Sequence, residues 1–218
     1  AGWKPQQMID GISGIMSLAA ASGEDLGTTS DIVTDALTAF GLQAGDAGHF
    51  ADVLAQASAN ANTNVSMLGE SFKYVAPVAG AMNYSVEDTS LALGLMANAS
   101  IKGSMAGTAL KTSLANMAAP TDSMAAAMDK YGISLTDSEG NMKSLRGVID
   151  NLRGSLGGLS ETEQTAAAST IFGKEAMAGM LAIINASEED YNKLSTAIGN
   201  SKDAAEGMAD TMLDNLKG

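Results

Sequence analysis

Near the middle of the chain lies the stretch Ala97-Asn98-Ala99-Ser100-Ile101-Lys102-Gly103-Ser104-Met105-Ala106-Gly107-Thr108-Ala109-Leu110. One apolar pattern with helical spacing runs into this stretch and ends near Met96, and a second leaves it through Leu110 and Leu114. Gly103 separates the two patterns, and glycine is a poor residue for a helix interior because it has no Cβ to restrict the backbone. The stretch therefore predicts a tight corner between two helices.

Two glycines in this stretch have a spacing that matters for packing. Gly103 and Gly107 are four residues apart, which places two positions without side chains on one helical face. A neighbouring backbone can approach such a face closely. The spacing predicts a close contact between helices inside a folded domain.

The same helical spacing continues outward on both sides of the corner. The first apolar set predicts a helix with one buried face, made of Met8, Ile9, Ile12, Ile15, Met16 and Ala19. Helix starts are predicted where a serine precedes acidic residues, at Ser85, Ser160 and Ser187. Helix ends are predicted at Gly41 and Gly132. Pro77 is expected to limit the continuation of its helix, because proline lacks a backbone N–H donor.

One segment differs from the helical pattern. Residues 133–136 alternate between apolar and polar, residues 137–140 have turn chemistry, and residues 141–143 could pair back. We therefore expect a mainly α fold, a compact domain of short antiparallel helices with one small β-hairpin near residues 133–143. The predicted subdomains are residues 1–132 and 133–218, and both ends of the chain look cut from something longer.

Composition restricts the class of protein. The 218 residues are 45% hydrophobic, enough for a packed core, but aromatic residues make up only 4% and methionines number 14. Small and flexible apolar side chains predict a core of low stability. The net charge of −13 disfavours direct nucleic-acid binding by this segment, and the absence of cysteine excludes disulfides and thiolate metal sites. No apolar run is long enough to predict a membrane span in this segment.

The sequence contains few residues suited to catalysis. His49 is the single histidine, and Asp46, His49 and Asp52 are the nearest approach to a metal-binding set. On a helix the first and last of these lie about 240 degrees apart, so all three cannot readily reach one ion. Acidic residues concentrate at predicted helix starts, where they complement the helix dipole. We therefore predict no catalytic residue, no cofactor and no metal.

The central stretch resembles the signature of the core region of phage tail tape measure proteins of the TP901 type, which also occur in phage-derived tail-like particles. In that signature a basic residue and a small-residue turn precede a Gly-Thr-x-Leu helix start, here Gly107, Thr108 and Leu110. Ser100 stands where the family often has glycine. Further landmarks follow in the family's order, from Gly2-Trp3 through residues 39–42, 51–55 and 131–140 to Ile171-Phe172-Gly173, so the resemblance covers nearly the whole chain.

The resemblance implies a structural role. A tape measure protein is packed inside a tail tube, helps to fix tail length during assembly, and is released when the tail delivers its contents. The implied partners are the tail tube protein, baseplate or tail-tip hub proteins, tail assembly chaperones and copies of itself as a homo-oligomer. The implied location is the lumen or tip of the virion tail, and the host bacterial cytoplasm during assembly. The implied packing residues are Gly103, Gly107, Thr108, Leu110, Phe172 and Gly173.

Two other functions are compatible with the sequence. Tape measure proteins can carry hydrolase domains, so one alternative is a cell-wall hydrolase, although the usual His and Cys machinery is absent here. The other alternative is a membrane-active helical module attached to a tail protein, which the alanine and methionine content favours. The net charge of −13 disfavours binding of such a module to anionic bilayers.

Overall fold

The computed structural model describes the backbone of residues 4–217 and the side chains of residues 4–215. This part of the chain is helical almost throughout. The α-helices are α1 (Pro5–Ser22), α2 (Leu26–Phe40), α3 (Ala47–Asn60), α4 (Val65–Ala81), α5 (Val86–Asn98), α6 (Ser104–Ala118), α7 (Asp122–Tyr131), α8 (Leu145–Leu156), α9 (Glu161–Phe172), α10 (Met177–Ile184), α11 (Glu188–Gly199) and α12 (Ala204–Lys217). A short 3-10 turn, Ala44–Asp46, precedes α3.

The predicted helix starts and ends are confirmed. The side chains of Ser85, Ser160 and Ser187 each accept a hydrogen bond from a backbone N–H three residues later, at the starts of α5, α9 and α11. These bonds satisfy N–H groups that have no partner within the helix. Gly41 and Gly132 adopt left-handed conformations, with φ of 69° and 65°, at the ends of α2 and α7.

One continuous apolar core joins the helices. It contains side chains from the first helix to the last, from Ile15 in α1 to Ala205 in α12. Three phenylalanines form its largest aromatic contact: the ring of Phe72 meets those of Phe40 and Phe50 edge to face, with centroids 5.8 and 5.5 Å apart. Such pairs contribute about 0.5–1.5 kcal/mol beyond the area they bury. Three of the four phenylalanines therefore lie together where α2, α3 and α4 meet.

The packing order of the helices brings the first and the last described helix together. α4 lies between α2 and α6, and α3 packs against α1, α5, α11 and α12. α12 also packs along α1, and Met208 near its start lies beside Leu18 and Ser22 at the end of α1. The two helices therefore run antiparallel. The division into residues 1–132 and 133–218 stays a prediction.

The predicted β-hairpin near residues 133–143 is wrong, because the part of the chain described here contains no strand. A single antiparallel bridge joins Thr136 to Met142. Between them, the Asp137 carboxylate accepts backbone N–H bonds from Glu139 and Asn141, both at 2.9 Å. Asp137 thereby takes the Asn141 N–H, which a longer hairpin ladder would use, and two backbone bonds cross the segment, from Asp137 N–H to the Asn141 carbonyl and from Lys143 N–H to the Leu135 carbonyl. The segment is a turn stabilised by its own side chains, and it holds the pKa of Asp137 below its usual value through these bonds, first of all that from Asn141.

The predicted buried face of α1 is also wrong in most of its members. Ile15 is buried, but Met8, Ile9, Ile12 and Met16 are exposed. The core side of the helix consists of Gly11, Gly14, Ile15 and Leu18. Apolar spacing alone did not distinguish these faces, because glycines on the inner face carry no hydrophobic signal.

Pro77 limits α4 less than the sequence suggests. The helix continues through the proline to Ala81. Val75, Ala76 and Ala79 around it are buried, so packing compensates for the missing N–H donor. Gly80 brings this end of α4 against α2, since a Cβ there would lie 2.3 Å from the Ala39 carbonyl oxygen.

Within residues 4–217, no helix is long and apolar enough to cross a membrane.

Candidate functional site

The site singled out by the sequence is the corner between α5 and α6. α5 ends at Asn98 and α6 begins at Ser104. The Ile101 N–H donates to the Met96 carbonyl at 3.0 Å, a six-to-one bond that closes the helix end. Ser100 lies inside this bond with φ of 67°, in the left-handed region that favours glycine. This geometry explains why glycine would fit at the position of Ser100.

Gly103 gives the corner its second bend. Its φ is 58° and its ψ is −137°, a conformation that glycine adopts readily. The Gly103 carbonyl accepts a hydrogen bond of 2.8 Å from the Ser71 hydroxyl, which also lies 3.0 Å from the Met67 carbonyl. Ser71 therefore connects α4 to the corner. Nothing in the local sequence around Ser71 indicated this contact, which joins residues 32 positions apart.

Gly107 lies directly against the backbone of α4. A Cβ at this position would be 2.2 Å from the Ser71 carbonyl oxygen and 2.9 Å from the Ser71 Cα. Gly103 has no such backbone neighbour, and its nearest contact would be the Glu70 Cγ at 3.7 Å. The close approach of two helices thus occurs at Gly107, whereas Gly103 allows the turn between α5 and α6.

Thr108 and Leu110 occupy different environments on α6. Leu110 is fully buried in the core. Thr108 is exposed and lines a shallow groove of about 310 Å³ between α6 and α10, together with Met105, Thr112 and Glu175. The groove is open and mostly apolar.

Phe172 and Gly173 meet the other end of α6. The Asn116 amide donates a hydrogen bond of 2.9 Å to the Phe172 carbonyl, and the Phe172 ring is fully buried. Gly173 follows with φ of 84° and ends α9. α6, whose start belongs to the central stretch, therefore contacts the Phe172 landmark through Asn116 and the backbone of α4 through Gly107. The functional importance of Gly103, Gly107, Thr108, Leu110, Phe172 and Gly173 stays a prediction.

An ion pair that the sequence did not indicate fastens α8 to α5. The Asp88 carboxylate accepts hydrogen bonds from the Arg146 backbone N–H at 3.0 Å and from Arg146 Nε at 3.2 Å. Arg146 Nη1 donates to the Ser195 hydroxyl of α11 at 2.6 Å. Asp88 is 8% exposed. Its role is thus to cap a distant helix, in addition to complementing the dipole of its own.

A second arginine organises the α8, α10 and α11 region. Arg153 Nη1 donates to the Ile183 and Ala186 carbonyls at 3.0 and 2.8 Å, and its guanidinium lies 4.8 Å from the Tyr191 ring centroid. The Tyr191 hydroxyl donates to Asp150 at 2.5 Å. Burial and this bond raise the pKa of Tyr191. Arg153 therefore supplies hydrogen-bond donors to backbone carbonyls at and just after the end of α10. The cluster of Arg153, Tyr191 and Asp150 joins α8, α10 and α11.

The residues considered for a metal site point to separate partners. His49 Nε2 lies 2.7 Å from Glu87 Oε1 of α5. Asp46 accepts from the Gln43 N–H at 2.7 Å, and Asp52 accepts from the Asp203 and Ala205 N–H groups at 2.9 Å each. Among residues 4–217, no group of three His, Cys, Asp or Glu side chains could hold a metal ion. His49 and Asp52 instead connect α3 to α5 and to the start of α12, whereas Asp46 caps the short 3-10 turn before α3.

Comparison with known proteins identifies the family to which the central stretch and the other landmarks point. Residues 1–173 match the family described as phage-related minor tail protein. The tape measure protein of Pneumococcus phage Dp-1 is 43% identical over 216 residues, which cover 99% of this chain and 19% of that protein. The probable tape measure protein of Escherichia phage P2 is 27% identical over 206 residues, covering 93% of this chain and 25% of that protein.

This chain therefore spans about a fifth to a quarter of the length of these curated relatives. No solved structure matches it. The family match extends from the first residue through α9, and so includes the corner at Gly103 and the landmark at Phe172. The chain belongs to the family of phage-related minor tail proteins.

Proposed function

We propose that this chain is a folded structural segment of a tail tape measure protein, which acts in tail assembly and length determination and is released during delivery of genome or cargo. The observation that supports this most directly is the 43% identity to a phage tape measure protein over 99% of the chain. The role is that of a phage tail component, with no catalytic activity, cofactor or metal. We propose that its partners are the tail tube protein, hub proteins of the baseplate or tip, assembly chaperones and other copies of itself.

The proposed location is the lumen or tip of the virion tail, after assembly in the host bacterial cytoplasm. Within the tail this segment is not the extended ruler itself. A single helix of 218 residues would be about 330 Å long at about 1.5 Å per residue, whereas the longest helix described here has 18 residues. The helices fold back on one another around one core. A folded segment of this kind adds at most about 45 Å to the length of the protein, so it takes part in length determination without acting as an extended ruler.

Insertion of a second, tandem copy of this segment into the complete tape measure protein tests the proposal. A matched insertion takes 218 residues of long predicted helix from elsewhere in the same protein. Electron micrographs of the particles should show tails longer by about 330 Å for the matched insertion and by less than about 50 Å for the folded segment. Equal lengthening by both insertions would contradict the folded role of the segment.

Deletion of the segment tests the assembly role separately. We expect few or no normal tails, because the contacts of this segment with tail proteins are lost. Normal, infectious particles with tails of normal length would contradict a role in assembly. Complementation by the segment supplied from a plasmid serves as the control for polar effects of the deletion.

A further inference from the structure

The segment that follows the turn at residues 137–140 has an exposed backbone edge. Thr136 and Met142 lie opposite each other, and one backbone hydrogen bond closes the pair on each side of them. In an antiparallel pair with this pattern, the N–H and C=O groups of the two opposed residues point away from each other. The backbone groups of Met142 therefore point outward, on the side away from Thr136.

Ser134 closes the opposite edge of this pair. Its hydroxyl donates to the Thr136 carbonyl at 2.9 Å and accepts from the Thr136 N–H at 3.1 Å. The Ser134 N–H donates to the Asn151 side-chain carbonyl at 3.1 Å, and the Ser134 carbonyl accepts from Lys143 Nζ at 3.0 Å. Side chains thus occupy the backbone groups that a further strand would need. Strand addition is blocked on this side.

The side of Met142 has no such cover. Among the described residues, neither the N–H nor the C=O of Met142 forms a hydrogen bond, and neither does the N–H of Ser144. Both residues are exposed, and the backbone of Ser144 is extended. These three groups, here called the Met142 edge, follow one another as donor, acceptor and donor. Exposed backbone groups in this arrangement are the template on which an extended peptide adds as a strand.

A groove beside the Met142 edge suits an apolar side chain. Residues directly opposite each other in a ladder have their side chains on the same face. A residue paired with Met142 therefore directs its side chain to the face that carries Met142 and Thr136. These two side chains line an open groove of about 360 Å³, together with Met117, Met128 and Leu135. The residue opposite Met142 is therefore expected to be apolar.

Charge sets the direction of an added strand. The turn at one end of the Met142 edge carries the exposed side chains of Asp137 and Glu139. At the other end Ser144 caps α8, whose first turn carries the partial positive charge of a helix N-terminus. Cations are therefore favoured beside the turn and disfavoured beside α8. Since an antiparallel strand runs from Ser144 towards the turn, its basic residues belong at its C-terminal end.

We propose that the Met142 edge binds an extended segment of another polypeptide, which adds as an antiparallel strand with an apolar residue opposite Met142 and basic residues at its C-terminal end. The acidic turn and the net charge of −13 disfavour a second copy of this chain as the occupant. Three backbone groups and one apolar side chain give weak binding, with a Kd of order 0.1 to 1 mM. The surface belongs to the folded chain itself, so the proposal does not depend on the role in a tail.

Titration of the isotope-labelled chain with two synthetic peptides, followed by NMR, tests the charge order. The first peptide is acetyl-Thr-Thr-Val-Lys-Lys-amide, and the second is its exact reversal, acetyl-Lys-Lys-Val-Thr-Thr-amide. The first should shift the amide signals of Met142 and Ser144 and bind at least about threefold more tightly than the second. Equal binding of the two peptides, or signal shifts confined to other parts of the chain, would overturn the proposal.

Two variants at one position separate the backbone from the side chain. Met142→Pro removes a donor that the fold does not use, and it should weaken binding of the first peptide at least about tenfold. Met142→Thr keeps the donor and should stay within about threefold of the wild type. Thermal melts check that both variants are folded. Equal loss of binding in both variants would show that the methionine side chain, and not the edge, holds the peptide.

Amide hydrogen exchange of the unmodified chain gives a measurement that does not depend on the variants. Saturation with the first peptide should slow exchange at Met142 and Ser144 at least about threefold. Exchange at Thr136 should not change, because the Ser134 hydroxyl already accepts from its N–H. Unchanged exchange at Met142 would contradict strand addition. So would a dimer of the chain that Met142→Pro abolishes, since the occupant of the edge would then be a second copy.

Discussion

At the scale of single residues, Gly107 is the position where the fold tolerates least change. A Cβ there would lie 2.2 Å from the Ser71 carbonyl oxygen, which belongs to the backbone of α4 and cannot rotate away. Gly107→Ala should therefore reduce the free energy of unfolding by about 1–3 kcal/mol, and Gly107→Leu by at least as much, through overpacking. Helix propensity alone predicts the opposite, a gain of about 1 kcal/mol for alanine. Chemical denaturation of the purified chain measures the difference.

A matched control for this variant is Gly154→Ala. Gly154 is also within a helix, but it is exposed and a Cβ there would have no neighbour within 4 Å. This substitution should raise stability by up to about 1 kcal/mol. A gain of stability at both positions would show that α6 does not approach α4 as closely as described.

At Ser100 we expect the introduction of a glycine to increase stability. Its φ of 67° costs a non-glycine residue about 1–2 kcal/mol. Ser100→Gly removes this cost but makes the unfolded chain more flexible, so the expected net gain is about 0.5–1 kcal/mol. Ser13→Gly, in the exposed middle of α1, is the control and should lose about 0.5 kcal/mol. Loss of stability in both variants would contradict the left-handed conformation of Ser100.

Tyr84 makes stability depend on alkaline pH. Its hydroxyl is buried without a hydrogen-bond partner in the described part of the chain, and burial raises its pKa to about 12. Between pH 10 and 12 the unfolded chain loses this proton while the folded chain keeps it, so stability falls as pH rises, by an amount of order 2 kcal/mol. Tyr84→Phe should reduce this fall. It should also be neutral or stabilising at pH 7, because an unsatisfied buried hydroxyl is removed.

Urea denaturation at pH 8 and at pH 11 measures the effect of Tyr84. Tyr84→Phe should still lose some stability between pH 8 and pH 11, since the pKa of Tyr191 is raised as well. Tyr74→Phe is the control, because it removes a tyrosine hydroxyl from a position that is 40% exposed. Identical pH profiles of the wild type and Tyr84→Phe would contradict this role of Tyr84.

The features most predictable from sequence were the residues that begin and end helices. Serine caps and glycine ends depend on a few neighbouring residues, so Ser85 and Gly41 were identified correctly. The contacts of Ser71 with Gly103 and of Asn116 with Phe172 join residues 32 and 56 positions apart. No local pattern contains such pairs, and they became apparent only when the helices were placed.

At the scale of elements, the ion pair of Asp88 and Arg146 holds α8 to α5. The Asp88 side chain is 12% exposed, and it accepts both a backbone and a side-chain N–H of Arg146. Asp88→Ala should cost about 1–3 kcal/mol, because the backbone N–H of Arg146 and its guanidinium, whose side chain is 34% exposed, both lose their acceptor. Glu87→Ala is the matched control: it removes the neighbouring pair with His49, whose side chain is 53% exposed, and should cost less than about 1 kcal/mol.

Thermal denaturation of the Asp88 and Glu87 variants gives the comparison. Equal losses for the two would show that the Asp88 contact is no stronger than a surface pair. Retained stability in Asp88→Ala, together with a loss in Arg146→Ala, would show that the arginine acts through Ser195 alone.

Element types were predicted better than the surfaces that elements bury. Residues 133–143 fulfil the alternation expected of a hairpin, but Asp137 and Ser134 hydrogen-bond to the local backbone, and only one bridge forms. In α1 the apolar residues mark two faces, and the core takes the one with glycines. Periodicity reports where apolar residues lie on an element, whereas burial depends on which face a neighbour can approach.

At the scale of the whole molecule, the arrangement of the terminal helices bears on the proposed release from a tail. α1 and α12 run antiparallel, so the two ends of the described chain lie on the same side of the domain. A force applied between the ends therefore separates one helix from the other progressively, from the outside. A domain about 45 Å across must open to pass a narrower tube, and this geometry lets it open in stages.

Pulling a single molecule from its ends in an optical trap tests this expectation. Release of α12, a helix of 14 residues, should come first, at low force and with a gain of about 50 Å in chain length. Several further small steps should follow, with the turn at residues 133–142 as the predicted boundary between two units. Attaching the handles at Asp31 and Gly199 through introduced cysteines leaves α1 and α12 outside the stretched segment, so the first step should disappear. A single high-force rupture of the whole domain would contradict staged opening, since a core that yields all at once would resist passage as one unit.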